Sequence, residues 1–201
     1  MRVELKIIDF LARNKDKKFT INKIAKNIKE HYSFVHKTIN KLNKENIIIK
    51  TKAGKAHLCS LNTDNEKAII LIQLSEIEKK NELYNKNGKL KLMLEDFIKS
   101  IKTQPNLLSI ILFGSYSKGN TTKESDIDIL ILSKKNINIE KITKEIYAKY
   151  GKEINPIIMT PNDFKKQKDK PIIKEIINNH HILYGIENFT KEVHKKWKQK
   201  T

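Results

Sequence analysis

Residues 112–132 read LFGSYSKGNTTKESDIDILIL and constrain this chain more than any other stretch. An apolar run, Leu107 to Phe113, ends in Gly114-Ser115. A polar loop with a second glycine, Gly119, leads into Ser125-Asp126-Ile127-Asp128 and a second apolar run, Ile129 to Leu132. Apolar runs of strand length on either side of a glycine-containing loop predict a strand–loop–strand unit. Successive side chains of a strand point to opposite faces, so Asp126 and Asp128 project from the same one. Two carboxylates held side by side repel unless a cation sits between them. Few hard oxygen ligands, with room left for phosphate oxygens, suit Mg²⁺. Gly114 lets a phosphate approach the backbone, and Ser115 offers it a hydroxyl and an N–H.

Gly-Ser, a glycine four residues after the serine, and Ser-Asp-x-Asp ahead of a hydrophobic strand resemble the signature of the polymerase-beta-type nucleotidyltransferase superfamily. The small, stand-alone minimal nucleotidyltransferases are the members it is most similar to. The resemblance covers roughly residues 90–187. It implies an α/β (α+β) domain with a mixed sheet and flanking helices, assigned here to residues 89–187. It also implies Mg²⁺ as cofactor and a nucleoside triphosphate, ATP by expectation, as substrate. Gly114, Ser115, Gly119 and Ser125 would serve the phosphates, and Asp126 and Asp128 the metal. Lys118 and Lys123 are further loop residues that can offset triphosphate charge. In such enzymes an acceptor hydroxyl attacks the α-phosphorus and pyrophosphate leaves, with metal ions positioning both groups. A third carboxylate on a neighbouring strand completes the metal site and helps deprotonate the acceptor.

The chain departs from that pattern. Its next apolar segment, Lys152 to Met159, holds no aspartate. Glu153 and Asn155 are two apart and share a face, so either can point at the metal. Glu153 would be a catalytic base at the start of the strand. Asn155 would be a neutral oxygen ligand, unable to take a proton.

Residues 1–62 read as a separate domain. Val3, Ile7, Phe10 and Leu11 mark one helical face. Thr20 is a candidate N-cap for a second helix carrying Ile21, Ile24, Ala25 and Ile28. Ser33 is the candidate cap of a third, with Val35, Ile39 and Leu42 inward. Two β-rich runs, Ile47 to Thr51 and Ala56 to Leu61, flank Gly54 and suit a hairpin. Three helices and a hairpin in this order resemble a winged helix-turn-helix domain. That implies DNA binding through the outward residues of the third helix, His36, Lys37, Asn40, Lys41 and Lys44, in the major groove. Asn40 can pair with adenine, while the lysines favour phosphates. Lys50, Lys52 and Lys55 at the wing suit the backbone. The same fold also serves protein contacts.

The net charge of +18 favours a polyanionic partner, DNA or RNA. All but Arg2 and Arg13 of the 41 basic residues are lysine. With Ile and Asn abundant throughout, this also fits a coding bias that loads surfaces with lysine. The lone cysteine, Cys59, cannot form an internal disulfide. With no membrane-length apolar run and no signal-peptide pattern, a cytoplasmic protein without a membrane partner is expected.

Residues 63–88 are expected to be a helical linker. There Ile70, Leu74 and Ile77 share a face that can serve homodimerisation. Leu90, Leu94, Phe97, Ile98 and Ile101 line the next helix. Helices are predicted at 139–150, after the Thr160 cap with Pro161, and after Pro171. His180 and His181 read as structural. Residues 188–201 form a basic tail in which Phe189, Val193 and Trp197 dock on their own domain. Two further readings stay open: a non-enzymatic DNA-binding regulator with a degenerate transferase domain, and an antitoxin-like enzyme modifying a toxin-type protein partner.

Overall fold

The computed structural model describes residues 1–54, 56–122 and 124–194. Lys55, Lys123 and Trp197, named above, lie outside them. The chain divides into two compact units around Met1–Glu78 and Lys79–Val193. The division falls inside a helix, between Glu78 and Lys79.

The first unit runs α1 (Val3–Arg13), β1 (Phe19–Thr20), α2 (Ile21–Ile28), α3 (Tyr32–Lys44), β2 (Ile48–Ala53) and β3 (Ala56–Leu61). The strands form an antiparallel sheet in the order β1-β3-β2. Ile7, Ile8 and Leu11 of α1, Ile24 of α2, and Val35, Ile39 and Leu42 of α3 close over Ile48 and Cys59 of the sheet. Thr20 caps α2 as expected, its hydroxyl accepting from the Lys23 N–H at 3.3 Å. Ser33 does not cap α3. Lys29 takes a left-handed conformation at the end of α2, so the chain reverses early and α3 starts at Tyr32, behind His31. Ser33 therefore lies inside the first turn. The two-residue β1, pairing Phe19 with Cys59 and Thr20 with Leu58, carried no sequence signal of its own.

α4 (Glu66–Lys86) follows. Its stripe of Ile70, Leu74 and Ile77 is exposed, at 60%, 38% and 40% of full accessibility. Ala68, Ile72, Ser75 and Glu76 form the buried face instead. Arg13 explains the rotation: its guanidinium donates to Asp9 Oδ1 and to Glu76 Oε1, both at 2.8 Å. Burial opposes the charge on Arg13, but Glu76 and Asp9 outweigh it and hold its pKa above the ordinary value.

The second unit continues with α5 (Gly88–Ile101), β4 (Leu107–Leu112), α6 (Gly114–Lys118), β5 (Ile127–Ser133) and α7 (Glu140–Tyr150). It ends with β6 (Ile154–Met159), α8 (Pro161–Lys166), α9 (Pro171–Asn178), β7 (His181–Tyr184) and α10 (Ile186–His194). The sheet order is β6-β5-β4-β7, with β5/β6 parallel and the other pairs antiparallel, the mixed sheet expected from sequence. Alternation along β5 sends Ile127, Ile129 and Ile131 into the layer formed with α5 and α7. Leu130 and Leu132 enter a second layer with Phe164 of α8 and Ile173 and Ile176 of α9. Thr160 caps α8 as expected, accepting from the Asp163 N–H at 3.1 Å. His180 is a packing residue, as read: its Nδ1 meets Ile176 O at 2.8 Å and its ring sits edge-on to Phe189. Among the described residues no helix is long and apolar enough to cross a membrane.

Truncating one partner of a buried ion pair leaves a charge without compensation, at a cost of about 3–5 kcal/mol. Arg13→Met is expected to lower the denaturant midpoint of the first unit accordingly. Arg13→Met/Glu76→Leu, which removes the more buried pair and leaves only the less buried Asp9 without its arginine, is expected to recover part of the loss.

Candidate active site

The site grows from the turn between β4 and α6. Phe113 ends the strand ladder, its N–H donating to Asp128 O at 3.0 Å. Gly114 then takes φ +69°, a conformation in which L side chains are strained. A Cβ here would lie 1.9 Å from Asp128 Oδ2. Only a glycine backbone can come so close to this carboxylate. The sequence assigned Gly114 to phosphate approach, and the structure adds contact with Asp128. α6 then runs to Lys118, and Gly119 ends it at φ +74° with its N–H on Ser115 O. No protein atom lies within 4 Å of a Cβ placed on Gly119, so it is the positive φ of the turn that calls for glycine there. Asn120 N–H also returns to Ser115 O, at 3.1 Å. Ser125 does loop work: its hydroxyl accepts from Thr122 N–H at 2.8 Å, and its carbonyl accepts from Lys152 Nζ at 3.3 Å.

Asp126 immediately precedes β5, and Asp128 is its second residue. They lie on the face continued inward by Leu130 and Leu132. The Asp126 carboxylate is exposed and that of Asp128 half-buried. Burial, then Asp126, then Glu175 push the Asp128 carboxyl above the ordinary carboxylate range. Two hard oxygen donors facing the same way, one of them penalised for its charge, form a donor set that fits a divalent cation such as Mg²⁺.

The parallel register sets Asn155 of β6 opposite Asp128. Asn155 Nδ2 donates to Asp126 Oδ2 at 3.3 Å. Glu153 is not brought to the pair. Its carbonyl accepts from Ile127 N–H, and the residue lines a separate cavity of about 360 Å³ with Glu140, Thr143, Lys144 and Tyr147. Among the described residues no group of three or more His, Cys, Asp or Glu side chains is disposed to hold a metal ion. Of the two residues the sequence left open, the structure brings the neutral one to the aspartates.

The comparisons with known proteins agree with this geometry. The family described as "Nucleotidyltransferase domain" matches residues 94–184. Three Methanocaldococcus jannaschii proteins, each named "Putative protein adenylyltransferase", match the chain. MJ1305 is 33% identical over 49% of this chain and 74% of its own length. MJ0604 is 34% identical over 45% and 94%. MJ0141 is 33% identical over 47% and 94%. The chain belongs to the nucleotidyltransferase family. Gly114, Ser115, Asp126 and Asp128 lie inside the matched region, and nucleotidyl transfer is the activity that this membership supports. A solved structure described as a toxin-antitoxin with AMP-PNP shares a looser likeness, 18% identical over 50% of this chain and 80% of that chain, with a TM-score of 0.40.

Glu175 and Asn179, from α9 and its C-cap, were missed by sequence reasoning. Lys118 Nζ meets Glu175 Oε1 at 2.6 Å, and Ser117 Oγ donates to Asn179 O at 3.1 Å. Glu175 sits between Ile173 and Ile176 in an apolar stripe, where an acidic residue reads as a solvated position.

In the first unit, His36, Lys37, Lys41, Lys44 and Lys52 are exposed. Asn40 is already engaged: its Oδ1 accepts from Lys50 Nζ at 2.9 Å, and its Nδ2 lies 3.3 Å from the His36 ring nitrogens. The His36 ring stacks on Tyr32 at 5.6 Å. Tyr32 and Phe34, 53% and 60% exposed, join this face without having been singled out in the sequence.

A carboxyl with a raised folded-state pKa keeps a proton that the unfolded chain has released. Its contribution to stability therefore falls as pH rises from the ordinary carboxylate range through the raised value. With EDTA present, Asp128→Asn is expected to raise Tm at neutral pH. The gain should shrink as the pH drops below about 4. Thermal unfolding across that range measures it.

Proposed function

We propose that the protein is a cytoplasmic, Mg²⁺-dependent adenylyltransferase that moves AMP from ATP to a hydroxyl of a partner protein, and that its N-terminal unit is a DNA-binding winged helix. The transfer reading is carried by one observation, the Asp128 carboxylate lying against the Gly114 backbone beside Asp126. That contact puts the carboxylate pair next to the turn assigned to phosphate. The choice of adenylyl group and protein acceptor is supported by the names of the M. jannaschii relatives. A toxin-type partner is one protein that fits.

In this reading Gly114 and Ser115 hold the triphosphate, and Gly119 closes the turn that presents them. Asp126 and Asp128 would hold Mg²⁺, which would supply positive charge to offset that developing on the phosphate oxygens. The acceptor oxygen bonds to the α-phosphorus, the bond to the β-phosphate oxygen breaks, and pyrophosphate leaves with its electron pair. Asn155 cannot take the acceptor proton and Glu153 lines a separate cavity, so the proton would pass to solvent water. Catalysis here therefore rests on positioning and charge more than on proton transfer.

Asn155 at the third position favours a second reading, a DNA-binding regulator whose transferase domain only senses nucleotide. The transferase is expected to label an acceptor from α-³²P-ATP with Mg²⁺, and Asp128→Asn to lower the rate by about a thousandfold or more. Asn155→Asp, restoring a base, should speed transfer by about tenfold to a hundredfold. Nucleotide binding with no transfer to any acceptor pool, in wild type and Asn155→Asp alike, favours the regulator.

The winged-helix reading is supported by the order α1-β1-α2-α3-β2-β3 and by the basic face of α3. His36, Lys37, Lys41 and Lys44 would meet the major groove, Lys52 and Lys55 would meet phosphates, and Asn40, fixed by Lys50, would present its amide to a base edge. A homodimer would use the Ile70, Leu74 and Ile77 face. Duplex affinity should fall steeply with salt, and Lys37→Ala/Lys41→Ala should reduce the log–log salt slope by about 2. A salt-insensitive or absent complex removes the DNA reading.

A further inference from the structure

Two contacts join α9 to the turn that carries Gly114 and Ser115. Lys118, the last residue of α6, pairs with Glu175 at 2.6 Å. Ser117, one residue earlier, has its hydroxyl in reach of two carbonyls, Gly114 O at 2.9 Å and Asn179 O at 3.1 Å, which share its one proton. Glu175 meets α6 from within α9 through its side chain, and Asn179, the C-cap just past the helix, meets it through its main-chain carbonyl. On α9, Ile173 and Ile176 are anchored in the core layer shared with Leu130 and Leu132, on the strand that carries Asp128. The carboxylate end and the phosphate end of the site thus share a support in α9.

Glu175 is not placed like a third metal ligand, since no three-acid group forms among the described residues. Its carboxylate is spent on Lys118. Lysine is a flexible point charge, so an ammonium on an exposed loop contributes little unless it is held. We propose that Glu175 is a positioning residue for nucleotide binding, holding the Lys118 ammonium beside the Gly114–Ser115 turn as a preset counter-charge for the triphosphate. The Ser117–Asn179 contact fixes the backbone of the same turn. This proposal rests on the nucleotide reading given above and adds to it a residue from outside the motif.

A preset cation acts on bound substrate and on the transition state alike. Its loss therefore appears in KM and nucleotide Kd, with kcat preserved. The pair is about two-fifths exposed on each side, and such pairs add little to folding stability. The test measures ATP Kd by calorimetry and kcat and KM for transfer, with Tm as the control for folding. For Glu175→Gln, Kd and KM should rise about fivefold to tenfold with kcat within about twofold and Tm within about 2 °C. Glu175→Asp, which keeps the charge, should recover most of the affinity. Lys118→Met should match Glu175→Gln, and the double variant should be no worse than either single one, because both remove the same interaction.

Unchanged Kd in Glu175→Gln overturns the proposal, as do additive effects in the double variant or a loss seen only in kcat. A Kd rise that tracks a fall in Tm and is not recovered by Glu175→Asp also overturns it, in favour of a plain structural brace. A wild type that binds ATP but transfers nothing fails the transfer reading and leaves this proposal to be decided on Kd alone. A wild type that binds no ATP overturns both.

Discussion

The contact between the Asp128 carboxylate and the Gly114 backbone is the constraint on which the rest of the second unit depends. Asp128 Oδ2 occupies the space that any side chain at position 114 would need. That packing requires a glycine with positive φ, which bends the chain out of β4 and into α6. It also sets a carboxylate against a hydroxyl-bearing turn while Asp126 stands next to it. Such an arrangement costs stability as it stands, because Asp128 is partly desolvated and faces two other acids. In the proposed reading, a bound cation would offset this unfavourable charge. The geometry of the turn and the discomfort of the pair therefore point to the same ligand.

The supporting layers follow from β-strand alternation. Odd-numbered residues of β5 from Ile127 to Ile131 feed the layer under α5 and α7. The even positions run from the two aspartates at the open end to Leu130 and Leu132 under α8 and α9. A single strand thus supplies the site and both cores, and α9 reaches the site because it covers the aspartates' side of the sheet. The unusual feature is Asn155. Parallel pairing sets it opposite Asp128, where it donates to Asp126 rather than adding a negative charge. This hydrogen bond relieves some repulsion in the free protein, and in the proposed reading the site would act by binding and alignment more than by proton transfer.

Much of this was legible in the sequence because it is local. The Gly114-Ser115 turn, the Asp126/Asp128 spacing, the caps at Thr20 and Thr160, and the inward stripes of α3 and α5 all depend on residues a few positions apart. What was not legible depends on tertiary partners. The buried face of α4 gave no sequence signal, because it depends on Arg13, more than sixty residues away, which draws Glu76 inward and leaves Ile70, Leu74 and Ile77 out. The choice between Glu153 and Asn155 needed the strand register, since both share a face in the sequence. Glu175 gave no signal, because its role exists only once α9 lies beside α6. β1 was too short for any periodicity to show.

The most direct test is a crystal of the protein soaked with Mn²⁺ and a non-hydrolysable ATP analogue, read by anomalous scattering. The account predicts a metal peak bound by the Asp126 and Asp128 carboxylates, with the analogue's phosphates on the Gly114–Ser115 turn. A metal peak elsewhere, or phosphates seated away from that turn, would contradict it.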